Sequence, residues 1–316
     1  MKSKFLLSIF FVFGVAHAQT YPNKPITIVV GSTPGSTTDG LARAMGIEIT
    51  KETGQPIIVD NRAGAFGGIA AQYTANAKPD GYTLFITTNT TQAASPHLFK
   101  KLSYDPVKDF QPISQLVQGY MLMVVNPSVK ASSVQELIAL AKNNPDKLTF
   151  GAGSSSAQVA VELFKKMTGT KITYIPYKSN PQAVLDLVGG QTDLMIVDLT
   201  TSLPQVKNNK LRALGVSSLT KSPLVPKIPT IAASGVPGYE FYHWNALYGP
   251  AGMDPAIVER INTLARKAMS APAVKKWVEE NGMEVAVTSP EGLTGFQDAQ
   301  YKKWGQIIKD AGIQPE

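Results

Sequence analysis

From Pro25 onward the chain alternates short, nearly all-apolar runs rich in β-branched residues with stretches whose apolar positions recur every three or four residues. The runs are ITIVV (26–30), PIIVD (56–60), TLFITT (83–88), MLMVV (121–125), LTFGA (148–152), ITYIPY (172–177), DLMIVD (193–198) and LRALGV (211–216). Strands apolar on both faces belong in parallel sheets covered by helices on each side. Between them Val134, Leu137, Ile138 and Ala141 fall on one helical face, as do Val159, Leu163 and Met167. Helices are predicted over roughly 38–52 and 67–77 in the first part of the chain. A helix near 273–281, a strand EVAVT (284–288) and a final helix over roughly 290–311 complete the pattern. The order of elements is that of an α/β protein.

Two segments share a design. VVNPSVKASSVQELIALAK (124–142) and LYGPAGMDPAIVERINTLAR (247–266) each run strand, proline turn, helix. The repeat is either ordinary strand–helix grammar or the mark of two passages of the chain between two similar lobes. No low-complexity linker separates domains, so lobes would be joined by hinge strands rather than by a tether.

The N-terminus adds a compartment. Lys2 and Lys4 precede the apolar run FLLSIFFVFGV (5–15), followed by Ala16-His17-Ala18. A basic start, a short apolar stretch and small residues at −3 and −1 describe a secretory signal peptide cleaved after Ala18. The run is shorter than the roughly 20 residues a membrane-spanning helix needs. The chain has no cysteine, which excludes disulfides, thiolate catalysis and Cys-ligated metal. The formal charge of +7 is spread over single or paired basic residues such as Lys165-Lys166 and Lys302-Lys303. No dense basic run resembles a nucleic-acid patch. A mild positive field favours the approach of anions.

Candidate chemistry gathers where strands end. Five such ends open into loops rich in Gly, Ser, Thr and Asn: GSTPGSTTDG (31–40), NRAGAFGG (61–68), TTNTT (87–91), GAGSSSAQ (151–158) and DLTTS (198–202). In parallel α/β sheets these loops emerge at one edge, where ligands bind. Helices that follow present unpaired N–H groups and partial positive charge, and hydroxyls add donors. Ser and Thr at single loops serve as helix caps; five loops of one chemistry point to a shared anion site. Asp39 is expected to tether its own loop, since a carboxylate facing the site would repel an anion. G-x-S-x-G, G-x-x-x-x-G-K-[ST] and G-x-G-x-x-G are absent. Outside the leader only His97 and His243 remain, without metal-ligand spacing. A serine triad built in space from Ser154–Ser156, His97 or His243 and Asp198 has no local motif behind it. His243 lies in the aromatic segment YEFYHW (239–244), a pattern of core or hinge packing that could also wall a cleft.

Set in order, YPNKPI (21–26), PGSTTD (34–39), NRAGAFGGIAA (61–71), KPDGYTL (78–84), LSYDPVKDFQPIS (102–114), IPYK (175–178), LVGGQTDLM (187–195), KLRALGV (210–216), VPKIPTIAASGVPGYE (225–240) and YGPAG (248–252) resemble the Bug receptors, extracytoplasmic substrate-binding proteins of tripartite tricarboxylate transporters. The resemblance implies two Rossmann-like α/β lobes joined by hinge strands in a type II periplasmic-binding-protein arrangement. Lobe 1 would comprise 19–121 plus 243–316, and lobe 2 would comprise 122–242. It further implies a periplasmic monomer that needs no cofactor or metal, holds a small carboxylate between the lobes and docks to membrane permease subunits. A ligand-presenting sensor module would have the same fold and pocket. Carried onto this chain, the carboxylate-holding positions are Thr33, Gly35, Ser36, Thr37 and Thr38, with Thr88 and Asn89 in the same lobe and Ser154, Ser155 and Ser156 in the facing one. Asp198 is placed to meet the distal part of a ligand. The chain departs from the family pattern at Ser36, Ala63, Phe66, Gln158 and Asn180, changes that alter the size or polarity of a cleft.

Overall fold

The computed structural model describes residues 21–315, so the expected signal peptide and its cleavage site lie outside the described residues. The alternation read from the sequence becomes two curled mixed sheets that share one long strand. In the first, β1 (Ile26–Val30) lies between β2 (Ile57–Asn61) and β3 (Thr83–Thr88), all parallel. The second contains the parallel strands β5 (Thr149–Ala152), β6 (Thr173–Pro176) and β7 (Leu194–Asp198). The shared strand, β4 (Phe110–Val125), is 16 residues long. Its first part pairs antiparallel with β9 (Tyr242–Pro250), from Phe110↔Pro250 to Tyr120↔Tyr242, and with the short β10 (Met283–Val285). Its last five residues pair instead with β7 and with β8 (Arg212–Val216). β9 in turn closes on β3. The architecture is therefore two α/β lobes strung on one continuous ladder.

Helices cover both faces of both sheets because the strands are apolar on each side. On one face of the first sheet, Ile26, Ile28, Leu41, Met45 and Ile49 pack with Val258, Ile261, Leu264 and Val278. Ile26 and Ile28 belong to β1, and the others come from α1 (Thr37–Thr53), α8 (Pro255–Ser270) and α9 (Pro272–Glu280). On one face of the second sheet, Leu122, Val184, Leu187, Val197 and Leu203 form a separate core under α6 (Asn180–Val188) and α7 (Leu199–Lys207). The remaining faces of the two sheets share a single core. It runs from Val29, Phe85 and Ala93 through Met121 and Met123 to Phe150, Val159 and Phe164. The other helices are α2 (Gly68–Ala75), α3 (Ser95–Leu98), α4 (Val134–Asn143), α5 (Ser155–Thr168) and α10 (Pro290–Asp310).

The final helix, α10, packs on β4, on α5 of the second lobe, and on α3 and a π-helical turn at Thr90–Ala94 in the first. Trp304 of α10 is buried and meets Phe241 edge-on at 5.2 Å, while Trp244 donates its indole N–H to Gln300 Oε1 at 3.2 Å. Tyr239 is fully buried with its hydroxyl donating to the Ala160 carbonyl at 2.8 Å. Most of the aromatic segment is therefore packing that ties the tail to both lobes. Among the described residues no helix is long and apolar enough to cross a membrane. Trp304→Ala removes the bridge and leaves a cavity in the shared core; it is expected to lower unfolding free energy by about 3–5 kcal/mol. Urea titration of the mature protein checks this, and an unchanged midpoint would show that α10 is not part of that core.

Candidate functional site

Four helices begin at one edge of the paired sheets, each directly after a strand: α1 after β1, α5 after β5, α6 after β6 and α7 after β7. Their first N–H groups have no intrahelical acceptor and carry partial positive charge. Ser36 caps α1, its Oγ accepting from Asp39 N at 3.2 Å, and shares a 2.6 Å hydrogen bond with Ser32 Oγ. Gly35 sits at φ 83°, a left-handed conformation that favours glycine, and its N–H donates to Asp39 Oδ2 at 3.0 Å. Asp39 Oδ1 accepts from Arg43 Nε at 3.0 Å and from Asn61 Nδ2 at 3.1 Å, while Asn61 Nδ2 also donates to Ser32 O. Burial opposes its ionisation, yet the Arg43, Gly35 and Asn61 donors together hold its carboxyl below the usual range. Asp39 is thus the loop tether expected from the sequence.

On the facing lobe Ser154 caps α5, accepting from Ala157 N at 3.3 Å and from Asn180 Nδ2 at 3.1 Å. Asn180 also accepts from Gly153 N at 3.1 Å, joining the α5 and α6 loops. Asp198 caps α7: its Oδ1 accepts from Thr201 N at 3.0 Å and Thr201 Oγ1 at 2.9 Å, and its Oδ2 from Asn180 Nδ2 at 3.2 Å. The two rims also meet directly. Thr37 Oγ1 donates to Asp198 Oδ1 at 2.7 Å, Asn89 Nδ2 to Ser156 Oγ at 2.7 Å, and Thr33 Oγ1 and Ser179 Oγ share a 2.8 Å bond. Because the rims touch, the cavity between them measures about 80 Å3. Small-molecule pockets run to roughly 300–1,000 Å3.

Of the residues singled out in the sequence, Ser36, Thr37, Thr38, Thr88, Ser154, Ser156 and Asp198 line this cleft. The other four are placed differently. Gly35 shapes its loop, and Thr33 bridges the rims. Asn89 is wholly buried between Ser156 and the backbone N–H of Trp244, which donates to its Oδ1 at 3.3 Å. Ser155 is buried outside the lining, its hydroxyl without a partner. The cleft also takes residues that the sequence did not single out as ligand positions, notably Phe66, Met121, Asn180, His243 and Asn245. Phe66 stands at φ 51° and Ala65 at φ 47°, left-handed positions that cost about 1–2 kcal/mol each outside glycine. That strain sits at the cleft wall, where it aims a ring that also meets Phe99 at 5.6 Å. His243 and Asn245 enter because alternate residues of β9 face the cleft while Trp244 faces the shared core. A period-two reading of YHWNALY would have found that split.

The triad alternative finds little support in this arrangement. His97 shares a 3.0 Å hydrogen bond with the Tyr301 carbonyl and lies against the Tyr301 ring, outside the cleft lining. No serine hydroxyl among the described residues bonds His243. Among the described residues no cluster of three His, Cys, Asp or Glu could hold a metal.

Residues 41–313 match the sequence profile of the Tripartite tricarboxylate transporter family receptor. The chain is similar to Protein BugT of Bordetella pertussis, with 33% identity over 298 residues, covering 93% of this chain and 91% of that one. Among solved structures it is similar to R. palustris Rpa4515 with adipate, at 34% identity and TM-score 0.91, covering 94% of this chain and 100% of the other. It is also similar to MatC from Rhodopseudomonas palustris with bound malate, at 27% identity and TM-score 0.86, covering 91% and 100%.

The facing loops leave no room at Gly153, where an added Cβ would stand 2.0 Å from the Ser179 carbonyl carbon. Gly153→Ala must therefore displace the α6 loop, with an expected cost of about 1–3 kcal/mol, the range of overpacking. Thermal unfolding measures it, and a melting temperature equal to wild type would show that the loop yields freely.

Proposed function

Since this chain belongs to the tripartite tricarboxylate transporter receptors, a family of periplasmic solute-binding proteins, we propose that it captures a small aliphatic dicarboxylate between its lobes and delivers it to the membrane subunits of a transporter. One observation carries the reading: the N-termini of α1, α5, α6 and α7 converge on a single cleft from both lobes, and the hydroxyls that cap α1 and α5, those of Ser36 and Ser154, line it. Among the described residues that line the cleft there is no lysine or arginine. An anion is therefore recognised by N–H and O–H donors, each charge-assisted bond contributing roughly 1.5–3 kcal/mol before ordering costs. The apolar lining of Phe66, Ile86, Met121 and Pro181 suits a methylene chain between two carboxylates. The adipate and malate held by the two similar R. palustris proteins are of this class.

The direct bonds between rims define the working cycle. Thr37–Asp198, Asn89–Ser156 and Thr33–Ser179 occupy donors and acceptors that a guest would need. An opening rotation frees them, and closure around the guest re-forms part of the set. Lobe limits at 121/122 and 242/243 are supported by strand pairing, since β4 leaves β9 for β7 at Tyr120–Met121 and β9 begins at Tyr242. The closed face, with both rims aligned, is the surface offered to the permease.

Adipate at 100 times its Kd adds about 2.7 kcal/mol to the stability of a one-site receptor, which a thermal-shift titration of the mature protein detects. Thr37→Val, which deletes a rim hydroxyl while keeping the shape, is expected to weaken adipate or malate binding roughly tenfold or more. If neutral sugars or amines stabilise the protein and no carboxylate does, the reading is wrong.

A further inference from the structure

The cleft lining contains two titratable side chains among the described residues, Asp198 and His243. His243 projects from β9 opposite Gly119 of β4, and a Cβ placed on Gly119 would come within 3.1 Å of its Nε2. The glycine thus makes the space that the imidazole fills. Across from it on β4 stands Gly119, which has no side chain and against which Met283 of β10 also packs; Met121 of β4 and Asp198 at the end of β7 line the same cleft. From β9 itself comes Asn245, wholly buried, giving Nδ2 to Thr38 Oγ1 at 3.0 Å while its Oδ1 has no hydrogen-bond partner. On the other side of the same strands the Tyr120 phenol is influenced by Glu240, Glu284 and Tyr242. Asp198 is therefore the charged group that addresses His243.

These contacts set up a charge problem. With His243 neutral, the cleft holds the negative charge of Asp198, and a dicarboxylate would add two more in a partly desolvated space. No lysine or arginine lines the cleft to offset them. A protonated His243 would cancel the Asp198 charge and, with N–H on both ring nitrogens, would offer the Asn245 side chain a donor whichever nitrogen faces it. We propose that His243 is the specificity residue that makes this cleft accept a dianion, taking up one proton from solvent as the ligand closes in. The proposal rests on the carboxylate reading and deepens it. It also fits the electrostatics of the free protein: burial pushes the imidazole below its ordinary range, and Asp198 and Asn245 only partly oppose this. Near neutral pH the site is thus uncharged at His243 until an anion arrives.

The sign follows from linkage. If the complex binds one more proton than the free protein, affinity rises as pH falls, by up to tenfold per pH unit, and levels where His243 is already protonated before binding. Between pH 8 and 6 adipate stays largely a dianion, because its carboxyl groups titrate lower. The test is calorimetric titration of the mature wild-type protein with adipate and with malate at pH 6, 7 and 8, in buffers of different ionisation heat. Proton uptake approaching one per ligand, with Kd falling toward pH 6, is expected; His243→Asn should bind with neither the uptake nor the pH slope. A second readout needs no variant: the ring-proton NMR signal of His243 should move to its protonated position on adding adipate at pH 7, while that of His97 stays. Binding by wild type without proton uptake, with the His243 signal unmoved, overturns the inference and leaves the carboxylate reading standing. Failure of wild type to bind any of a panel of carboxylates overturns both.

Discussion

The antiparallel ladder between β4 and β9 is the constraint on which everything else in the molecule depends. A pair of hydrogen-bonded strands bends and twists far more readily than it stretches or slips, because slipping by one residue would turn every buried side chain to the wrong face. β4 spends its first eleven positions against β9 and its last five against β7 and β8, without a break in the chain. Two lobes strung on such a ladder keep their register while changing their angle. The rims at the helix starts lie beside this axis, at the ends of β1, β5, β6 and β7. The proposed rotation about the ladder would act on every loop at the cleft at once.

The same arrangement bears on the anion recognition proposed for the cleft. A positively charged side chain would bind many anions strongly and release them slowly, whereas backbone N–H groups and hydroxyls discriminate by position. Their strength depends on the absence of water, so they act fully only when both rims close. Asp198 fits this scheme as a cap before it is a ligand: Thr201, Asn180 and Thr37 already surround its carboxylate. Its negative charge is partly absorbed by the α7 N-terminus, and it sets a toll on any anion that comes near.

Much of this was legible in the residues. The strands at 83–88 and 194–198 and the helices α1 and α10 announce themselves through periodicity and capping serines, and the loop chemistry points to the right sheet edge. The beginning of β4 was harder to see. FQPISQLVQG alternates polar and apolar residues and carries a proline, and its ladder shifts register at Pro112/Ser114 and again at Gln115/Val117. Of EVAVT (284–288) only Glu284 and Val285 are strand, continuing from Met283 in a three-residue pairing with β4. At the site, residues that follow a strand end in sequence were recognisable, Asn180 among them as a departure that alters the cleft, whereas His243 and Asn245 arrive sideways from the first half of β9 and were not assigned as ligand positions. Asn89 illustrates the converse: its position in a loop after β3 looks ligand-facing, yet the fold uses its amide as a strut between Ser156 and Trp244.

The way α10 lies across both lobes has a consequence for how the chain matures. Neither lobe is complete until late residues arrive: the first needs β9, α8, α9 and β10, and the core common to both needs Leu293, Trp304 and Ile308. A polypeptide emerging N-terminus first cannot finish the first lobe before its tail arrives. The core under α6 and α7 lies wholly within 120–228 and is complete early, but the core of the first lobe and the one common to both stay open until the last few dozen residues have appeared. Completion is thereby reserved for the full-length product, and a chain cut short near its tail is left without the closing piece of its interior.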